Sequence, residues 1–383
     1  MKIAVPRETD AVETRVSATP DTIKKLIGFG ATVVVEKDAG KLSRIPDQDY
    51  KDAGAEIAVD YASTVGDADV VLKVRRPSAD ELGAMKKGAL VLASMDPYGN
   101  EKDVEAMAKA GITAFAMEFM PRITRAQVMD VLSSQANLAG YQAVIEGAAE
   151  YDRAMPMMMT AAGTVPAARV FVMGAGVAGL QAIATARRLG AVVTATDVRP
   201  AAKEQVESLG AKFVAVEDEE FKQAETAGGY AKQMSEEYQK KQAELVATHI
   251  AKQDIVITTA LIPGRPAPQL VSKAMLESMR PGAIVVDLAV ERGGNVEGAK
   301  PGKIATVAGV KVVGHLNMAA RIGASASALY AKNLFAFLET MIDKEAKALK
   351  PDFEDELLQA TVLTRDGKVV HPAFAPAESS GGE

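Results

Sequence analysis

Short apolar runs, each the length of one buried strand, alternate with helix-patterned segments along almost the whole chain. In the first half the runs are "KIAVP", "ATVVVEK", "ADVVLKV", "ALVLASM" and "ITAFAME". In the second half they are "RVFVMG", "AVVTATD", "KFVAVED", "DIVITTAL", "GAIVVDLAV" and "VKVVGHL". Runs without polar alternation suit strands covered on both faces, and helices between them suit parallel crossovers. In "TPDTIKKLIGFG", Thr19 can cap, Pro20 suits a first helical turn, and Gly28 or Gly30 can end the helix. The pattern therefore predicts an α/β protein with doubly wound parallel sheets. At 383 residues and roughly 150 residues per domain, two such units are expected.

Two long helical patterns lie at the seams, about Val128 to Arg153 and about Ala324 to Asp343. In the second, Ala331, Leu334, Phe335, Leu338, Met341 and Ile342 follow helical spacing. A hairpin turning at Asp366-Gly367 follows in "ATVLTRDGKVVHPAF". This predicts a second domain, residues 133–323, inserted into a composite first domain of residues 1–132 and 324–383, with the long helices as the crossings. The tail "APAESSGGE" has the composition of a disordered end.

The segment "RVFVMGAGVAGLQAIATARRLGAVVTATDVR" is the most informative for function. Gly174, Gly176 and Gly179 form G-x-G-x-x-G after an apolar strand, a helix follows, and the next strand ends at Asp197. Each part has a mechanical reason: Gly174 for the tight turn, Gly176 for the approach of a pyrophosphate, and Gly179 for close packing of helix on strand. The helix N-terminus offers amides to the phosphates. Asp197 can accept from ribose hydroxyls and would repel a 2′-phosphate. The segment is thus read as a Rossmann-like turn binding NAD(H) rather than NADP(H), with Arg199 the one neighbour that suits a 2′-phosphate. The competing reading is a glycine-rich turn that binds nothing. "TTALIPGRPAP" and "VDLAVERGG" place Leu261 to Arg265, and Asp287 with Glu291, at further strand ends. Glu291 and Arg292 read equally well as a solvated turn. The polar segment "AETAGGYAKQMSEEYQKKQAEL" carries Gly228-Gly229 before Tyr230, and reads as a surface helix or a closing loop with a glycine hinge.

Composition removes several alternatives. There is no cysteine, so disulfides, iron-sulfur clusters and thiol nucleophiles are excluded, and three histidines make a multi-histidine metal site unlike this chain. A formal net charge of −6 offers no basic stripe for nucleic acid. No run reaches the ~18 consecutive apolar residues of a membrane span. The opening "MKIAVPRETD" reads as a strand and not as a leader, so the chain is expected to be soluble and intracellular.

A polar cluster remains. "PRITRAQVMDVLSSQAN" places Arg122, Arg125, Gln127, Asp130, Ser133, Ser134, Gln135 and Asn137 near a helix start, with one carboxylate and no histidine or cysteine. Such a set suits hydrogen bonding more than proton transfer.

At this point the chain resembles a known family over essentially its whole length. The stretches "PRITRAQVMDVLSSQANLAGY", "PMMMTAAGTVPAARV", "GAGVAGLQAIATARRLGAVV", "ATDVR", "AETAGGYAK" and "TTALIPGRPAP" are similar to the NAD(H)-binding component, the soluble alpha subunit, of proton-translocating nicotinamide nucleotide transhydrogenase. That family passes hydride directly between NADH on this component and NADP+ on a partner component, coupled to proton movement through a membrane-spanning component. The resemblance implies Arg122, Gln127, Asp130 and Ser133 at the nicotinamide end, with Val128 and Met129 also against the cofactor and Gln127 reaching toward the partner's NADP(H). It implies Val177 on the pyrophosphate turn, Asp197, Val198 and Arg199 at the adenosine ribose, Leu261 against the cofactor, and Gly229, Tyr230 and Gln242 in a mobile closing loop. It also implies a homodimer, and a cytoplasmic location held at the inner membrane through partners.

The competitor is alanine dehydrogenase, a relative of the same fold. Arg15 in "ETRVSATP" and Lys73 in "VLKVRRP" resemble its substrate-carboxylate residues. That enzyme uses a histidine after the strand corresponding to "ALVLASM" and an aspartate near "DLAVERGG". Here "ASMDPYG" has no histidine, and the second region offers Glu291. Arg15 and Lys73 are then expected to be structural ion-pair formers. A nucleotide-binding regulator without catalysis is the third reading.

Overall fold

A computed structural model describes residues 1–222, 235–262 and 264–375, so nearly all of the tail expected to be disordered lies outside the described residues. Two compact units divide the chain, Met1–Gln135 with Ala320–Glu383, and Ala136–Ala319. The helix Val131–Glu150 begins in the first and ends in the second.

The first unit is built on an eight-stranded sheet. Its order is Lys368–Val369, Val362–Arg365, Thr113–Ala116, Leu90–Ser94, Val70–Arg75, Lys2–Val5, Thr32–Glu36 and Glu56–Ala58. The six strands from Thr113–Ala116 onward pair in parallel; at one edge Val362–Arg365 runs antiparallel to Thr113–Ala116 and turns back through a hairpin into Lys368–Val369. Asp366 and Gly367 both take positive φ, 51° and 77°, at the tip expected from the sequence. Side chains alternate between two cores, as a pleated strand requires. Ile3, Val5, Val70, Leu72, Leu90 and Leu92 pack with Tyr330, Leu334 and Phe337 of the helix Gly323–Glu339. Ala4, Val71, Val91 and Ala93 pack with Val104 and Met107 of the helix Glu101–Ala110.

The second unit holds a seven-stranded sheet in the order Lys212–Phe213, Val192–Thr196, Arg169–Met173, Ile255–Thr258, Ile284–Asp287, Val310–Gly314, Lys303–Val307. The last strand is antiparallel to its neighbour and the others are parallel. Strand order reverses between Arg169–Met173 and Ile255–Thr258, which pair in parallel. Ligands of open α/β sheets bind at the carboxyl ends beside such a reversal. The small apolar residues of the helix Val177–Arg188, namely Ala182, Ile183 and Ala186, cover one face of this sheet. Val246, Ile250 and Leu276 cover the other.

The seam helices are shorter than expected. They span Val131–Glu150 and Gly323–Glu339. At the first, the segment Thr124–Met129 is a 3-10 turn, and the α-helix opens only at Val131. The sequence pattern runs through this point because both forms bury apolar residues, Ala126 and Met129 in the turn and Val131 in the helix. The short hairpin Met158–Thr160 with Gly163–Val165 and the edge strand Glu56–Ala58 go beyond the sequence expectation.

Candidate functional site

The G-x-G-x-x-G turn lies where the sheet order reverses. Gly174 has φ +105°, and a Cβ there would sit 2.4 Å from Thr259 Oγ1. A Cβ on Gly179 would meet the Gly174 carbonyl oxygen at 1.8 Å. Neither position admits a side chain. Gly176 differs: a Cβ there would meet nothing within 4 Å. The protein's own atoms make no demand for glycine at 176, whereas a phosphate resting on that backbone would. The helix Val177–Arg188 opens without a side-chain cap, so its first amides, on Val177 to Gly179, remain available to an anion. Val177 itself is exposed. The donor set and the open front of the turn fit a dinucleotide pyrophosphate.

Asp197 stands one residue past the second strand and is 7% exposed. Its Oδ2 accepts from the Ala175 amide at 2.7 Å, which ties this carboxylate to the glycine turn. Arg199 wraps back onto it, with Nε 2.9 Å from Oδ1 and Nη2 3.1 Å from Oδ2. Val198, between them, is exposed. Gln242 is not in a loop. It lies on the helix Glu236–Ile250, which Ser235 caps by accepting from the Tyr238 amide at 3.2 Å. From there Gln242 donates to Thr196 Oγ1 at 3.1 Å and accepts from the Val216 amide at 2.9 Å. It braces the strand end beside Asp197. Burial pushes the Tyr238 hydroxyl up to about 12, and that hydroxyl donates to the Val216 carbonyl at 3.1 Å. Gly229 and Tyr230, assigned above to a closing loop, lie outside the described residues.

The loop after Ile255–Thr258 presents Leu261 and Ile262 outward, half exposed. It is held by Asn295, which sequence reasoning missed. Asn295 is fully buried, donates to the carbonyls of Ala260 and Pro268 at 2.9 and 2.8 Å, and accepts from the Ala260 amide at 3.1 Å. The available signal was the pair Gly293-Gly294 before it, both at positive φ. Asp287 is structural. It is fully buried and accepts from the amides of Ala289, Asn295 and Val296; burial nevertheless holds its carboxyl above the usual range. Glu291 is exposed and accepts from the Asn317 amide at 3.1 Å.

The polar cluster of residues 122–137 divides by role. Asp130 caps the helix Val131–Glu150: its Oδ1 accepts from the Ser133 amide at 2.9 Å, and its Oδ2 from the Ser133 hydroxyl at 2.5 Å. Arg125 forks onto Asp355 at 2.6 and 2.9 Å and reaches Glu356. Ser134 donates to Asn333 Oδ1 at 2.7 Å, and Asn333 in turn donates to the Val128 carbonyl at 2.8 Å. Gln135 accepts from Arg15 at 2.9 Å. Asn137 belongs to the second unit and donates to Gln181 at 3.3 Å. Met129 is buried, and Val128 is exposed. Arg122 and Gln127 are exposed, and their side chains make no hydrogen bond or ion pair among the described residues.

Arg15 and Lys73 contrast with these two. Lys73 is 1% exposed, 2.9 Å from Glu81 and 3.5 Å from Glu8. Burial alone would pull its ammonium down, but Glu8 and Glu81 hold it above the ordinary lysine value. Arg15 forks onto Glu13, with both contacts at 2.7 Å. Glu13 is lowered despite its burial, because Arg15 and Arg75 favour the carboxylate. The carboxylates here are side chains of the same unit, so both cations are committed to structural partners.

The chain matches family models for the alanine dehydrogenase/PNT N-terminal domain over residues 4–139 and C-terminal domain over residues 143–372. The chain belongs to this family. It is 57% identical to the first part of the NAD(P) transhydrogenase subunit alpha of Rhodospirillum rubrum, covering 98% of this chain and 99% of that one. It superposes on a solved transhydrogenase structure from Sinorhizobium meliloti with TM-score 0.89 and 65% identity, covering 97% and 100% of the two chains. An L-alanine dehydrogenase structure matches at TM-score 0.82 and 26% identity, covering 98% of each. The two branches of the family therefore share this fold, and side chains must separate them. The committed state of Arg15 and Lys73, together with "ASMDPYG", which lacks histidine, predicts that pyruvate, ammonium and NADH give no measurable alanine. A coupled assay for NADH loss over hours checks this, and robust turnover would place the chain in the other branch.

Proposed function

We propose that this chain is the NAD(H)-holding component of a proton-translocating transhydrogenase, exchanging hydride directly with NADP(H) held on a partner component. The observation that carries the reading is the contrast within the first unit. Arg15 and Lys73, which amino-acid dehydrogenase chemistry would need for a substrate carboxylate, are locked in buried ion pairs. Arg122 and Gln127 stay exposed and uncommitted among the described residues. NAD(H), when bound, supplies or accepts the hydride. No proton is gained or lost at the reacting carbons, so the work left to side chains is holding, orienting and excluding water.

In this reading Gly174, Gly176, Val177 and Gly179 seat the pyrophosphate, and Asp197 with its neighbours Val198 and Arg199 serves the adenosine ribose. Leu261 lies against the cofactor, and Gln242 braces Thr196 beside Asp197. Arg122, Asp130 and Ser133, with Val128 and Met129, serve the nicotinamide end, and Gln127 extends toward the partner's nucleotide. The Rhodospirillum rubrum relative is by name only one part of a subunit, which supports an assembly with further components: one binding NADP(H), one spanning the membrane for protons, and a second copy of this chain. No helix among the described residues is long and apolar enough to cross a membrane, so attachment to the cytoplasmic face of an inner membrane would come through those partners.

Asp197→Ala is expected to weaken NADH binding by about 1.5 to 3 kcal/mol for each charged hydrogen bond lost to the ribose. Equilibrium titration of NADH and NADPH measures it. Wild-type protein that binds NADPH as tightly as NADH would remove the assignment. Transfer itself is tested by adding the chain to membranes that carry the partner components and following reduction of an NAD+ analogue by NADPH. Failure to stimulate that reaction would sink the reading.

A further inference from the structure

Asp197 has all of its accepting capacity engaged by protein donors. Oδ1 accepts from the Arg199 amide at 2.9 Å and from Arg199 Nε at 2.9 Å. Oδ2 accepts from the Ala175 amide at 2.7 Å and from Arg199 Nη2 at 3.1 Å. A carboxylate offers about four lone-pair sites in total. A ribose diol that reaches this group must therefore take positions a protein donor holds. The two amides cannot yield. Ala175 follows Gly174, whose own amide is pinned to the Thr196 carbonyl at 2.9 Å, and the Arg199 amide closes a tight turn onto Asp197 from two residues away. The guanidinium can yield. It is 34% exposed on a flexible stem, and its contact with the Ala175 carbonyl is a longer 3.3 Å.

We propose that Arg199 is a displaceable guard on the adenosine-ribose subsite and sets how strictly that subsite discriminates NADH from NADPH. The proposal rests on the reading of residues 174–199 as the dinucleotide site. A nucleotide with a free 2′-hydroxyl must pull the guanidinium off Asp197 and gains no charge partner in return. A nucleotide with a 2′-phosphate brings its own anion for the displaced guanidinium, which offsets the repulsion from Asp197. Arg199 therefore costs the favoured ligand some affinity and lends the disfavoured one some.

The test titrates the full-length chain and its Arg199→Ala and Arg199→Lys variants with NADH and NADPH, and with AMP and 2′-AMP as probes of this subsite alone. A part-exposed ion pair is worth a few-fold in an equilibrium, so Arg199→Ala is expected to bind NADH and AMP about threefold more tightly. It should bind NADPH and 2′-AMP about tenfold or more weakly, because a charge-assisted phosphate contact is lost. Arg199→Lys keeps the charge without the fork and should fall between. The guard is overturned if Arg199→Ala leaves the AMP to 2′-AMP ratio unchanged. It is equally overturned if the variant weakens both ligands alike, the sign of a mere brace for Asp197. Wild-type protein that binds neither NADH nor AMP would instead overturn the nucleotide site itself.

Discussion

Lys73→Ala should destabilise the protein by about 3–5 kcal/mol, the cost of removing one partner from a buried charged group. Lys73 is the cation between Glu8 and Glu81, and burial around it is nearly complete. Glu8 also accepts from the Val74 amide at 2.6 Å, so it cannot turn away to solvent without losing that bond. Burial already raises the Glu8 carboxyl above its ordinary value, and Lys73 is the main influence pulling it back. With Lys73 gone the folded state favours a protonated Glu8 still more strongly. A carboxyl raised in the folded state contributes stability below its unfolded value and loses it as pH rises through the folded value. The deficit of the variant should therefore be smaller near pH 5 than near pH 8. Urea unfolding of parent and variant at both pH values measures this. A deficit under about 1 kcal/mol at pH 8, within the range of a surface pair, would show that Lys73 is not a structural ion-pair former.

Gln127→Asn should slow hydride transfer by on the order of a hundredfold and leave NADH binding almost unchanged, since a misplacement near 1 Å at the reacting atoms costs about that much. Gln127 is exposed on the 3-10 turn Thr124–Met129, and its side chain makes no hydrogen bond among the described residues. Shortening it by one methylene breaks no side-chain hydrogen bond among the described residues, so stability is a built-in control. The contacts proposed for most of the NADH binding energy, from Gly174 through Arg199, belong to the other unit of the chain. Single-turnover transfer in the reconstituted complex, beside titration of NADH to the isolated chain, separates the two effects. Unchanged transfer would make Gln127 a solvated surface residue.

Much of the fold was legible because its parallel strands are buried on both faces and so read as unbroken apolar runs. Every run quoted from the sequence, from "KIAVP" to "VKVVGHL", contains a strand. Edge strands escaped. Glu56–Ala58 and Lys303–Val307 are short or half exposed, and their polar residues look like loop. The turn Gly174 to Gly179 was readable because sterics admit only glycine at two of its three positions. The division of labour within residues 122–137 was not. Asp130 as a helix cap, Arg125 as a partner of Asp355, and Arg122 and Gln127 as groups with no side-chain partner among the described residues look alike in sequence, since partners such as Asp355 and Asn333 lie some two hundred residues away. Asn295 was missed for the same reason: its work is done on backbone groups of a different loop.

Direct passage of hydride from this chain to a nucleotide on a partner keeps the transferred hydrogen out of exchange with solvent. The decisive measurement uses NADH deuterated at the transferring position of the nicotinamide, with NADP+ and the reconstituted complex in ordinary water. The label should appear in NADPH without dilution by solvent hydrogen. Loss of the label to water, or NADPH formation that does not require this chain, would contradict the account.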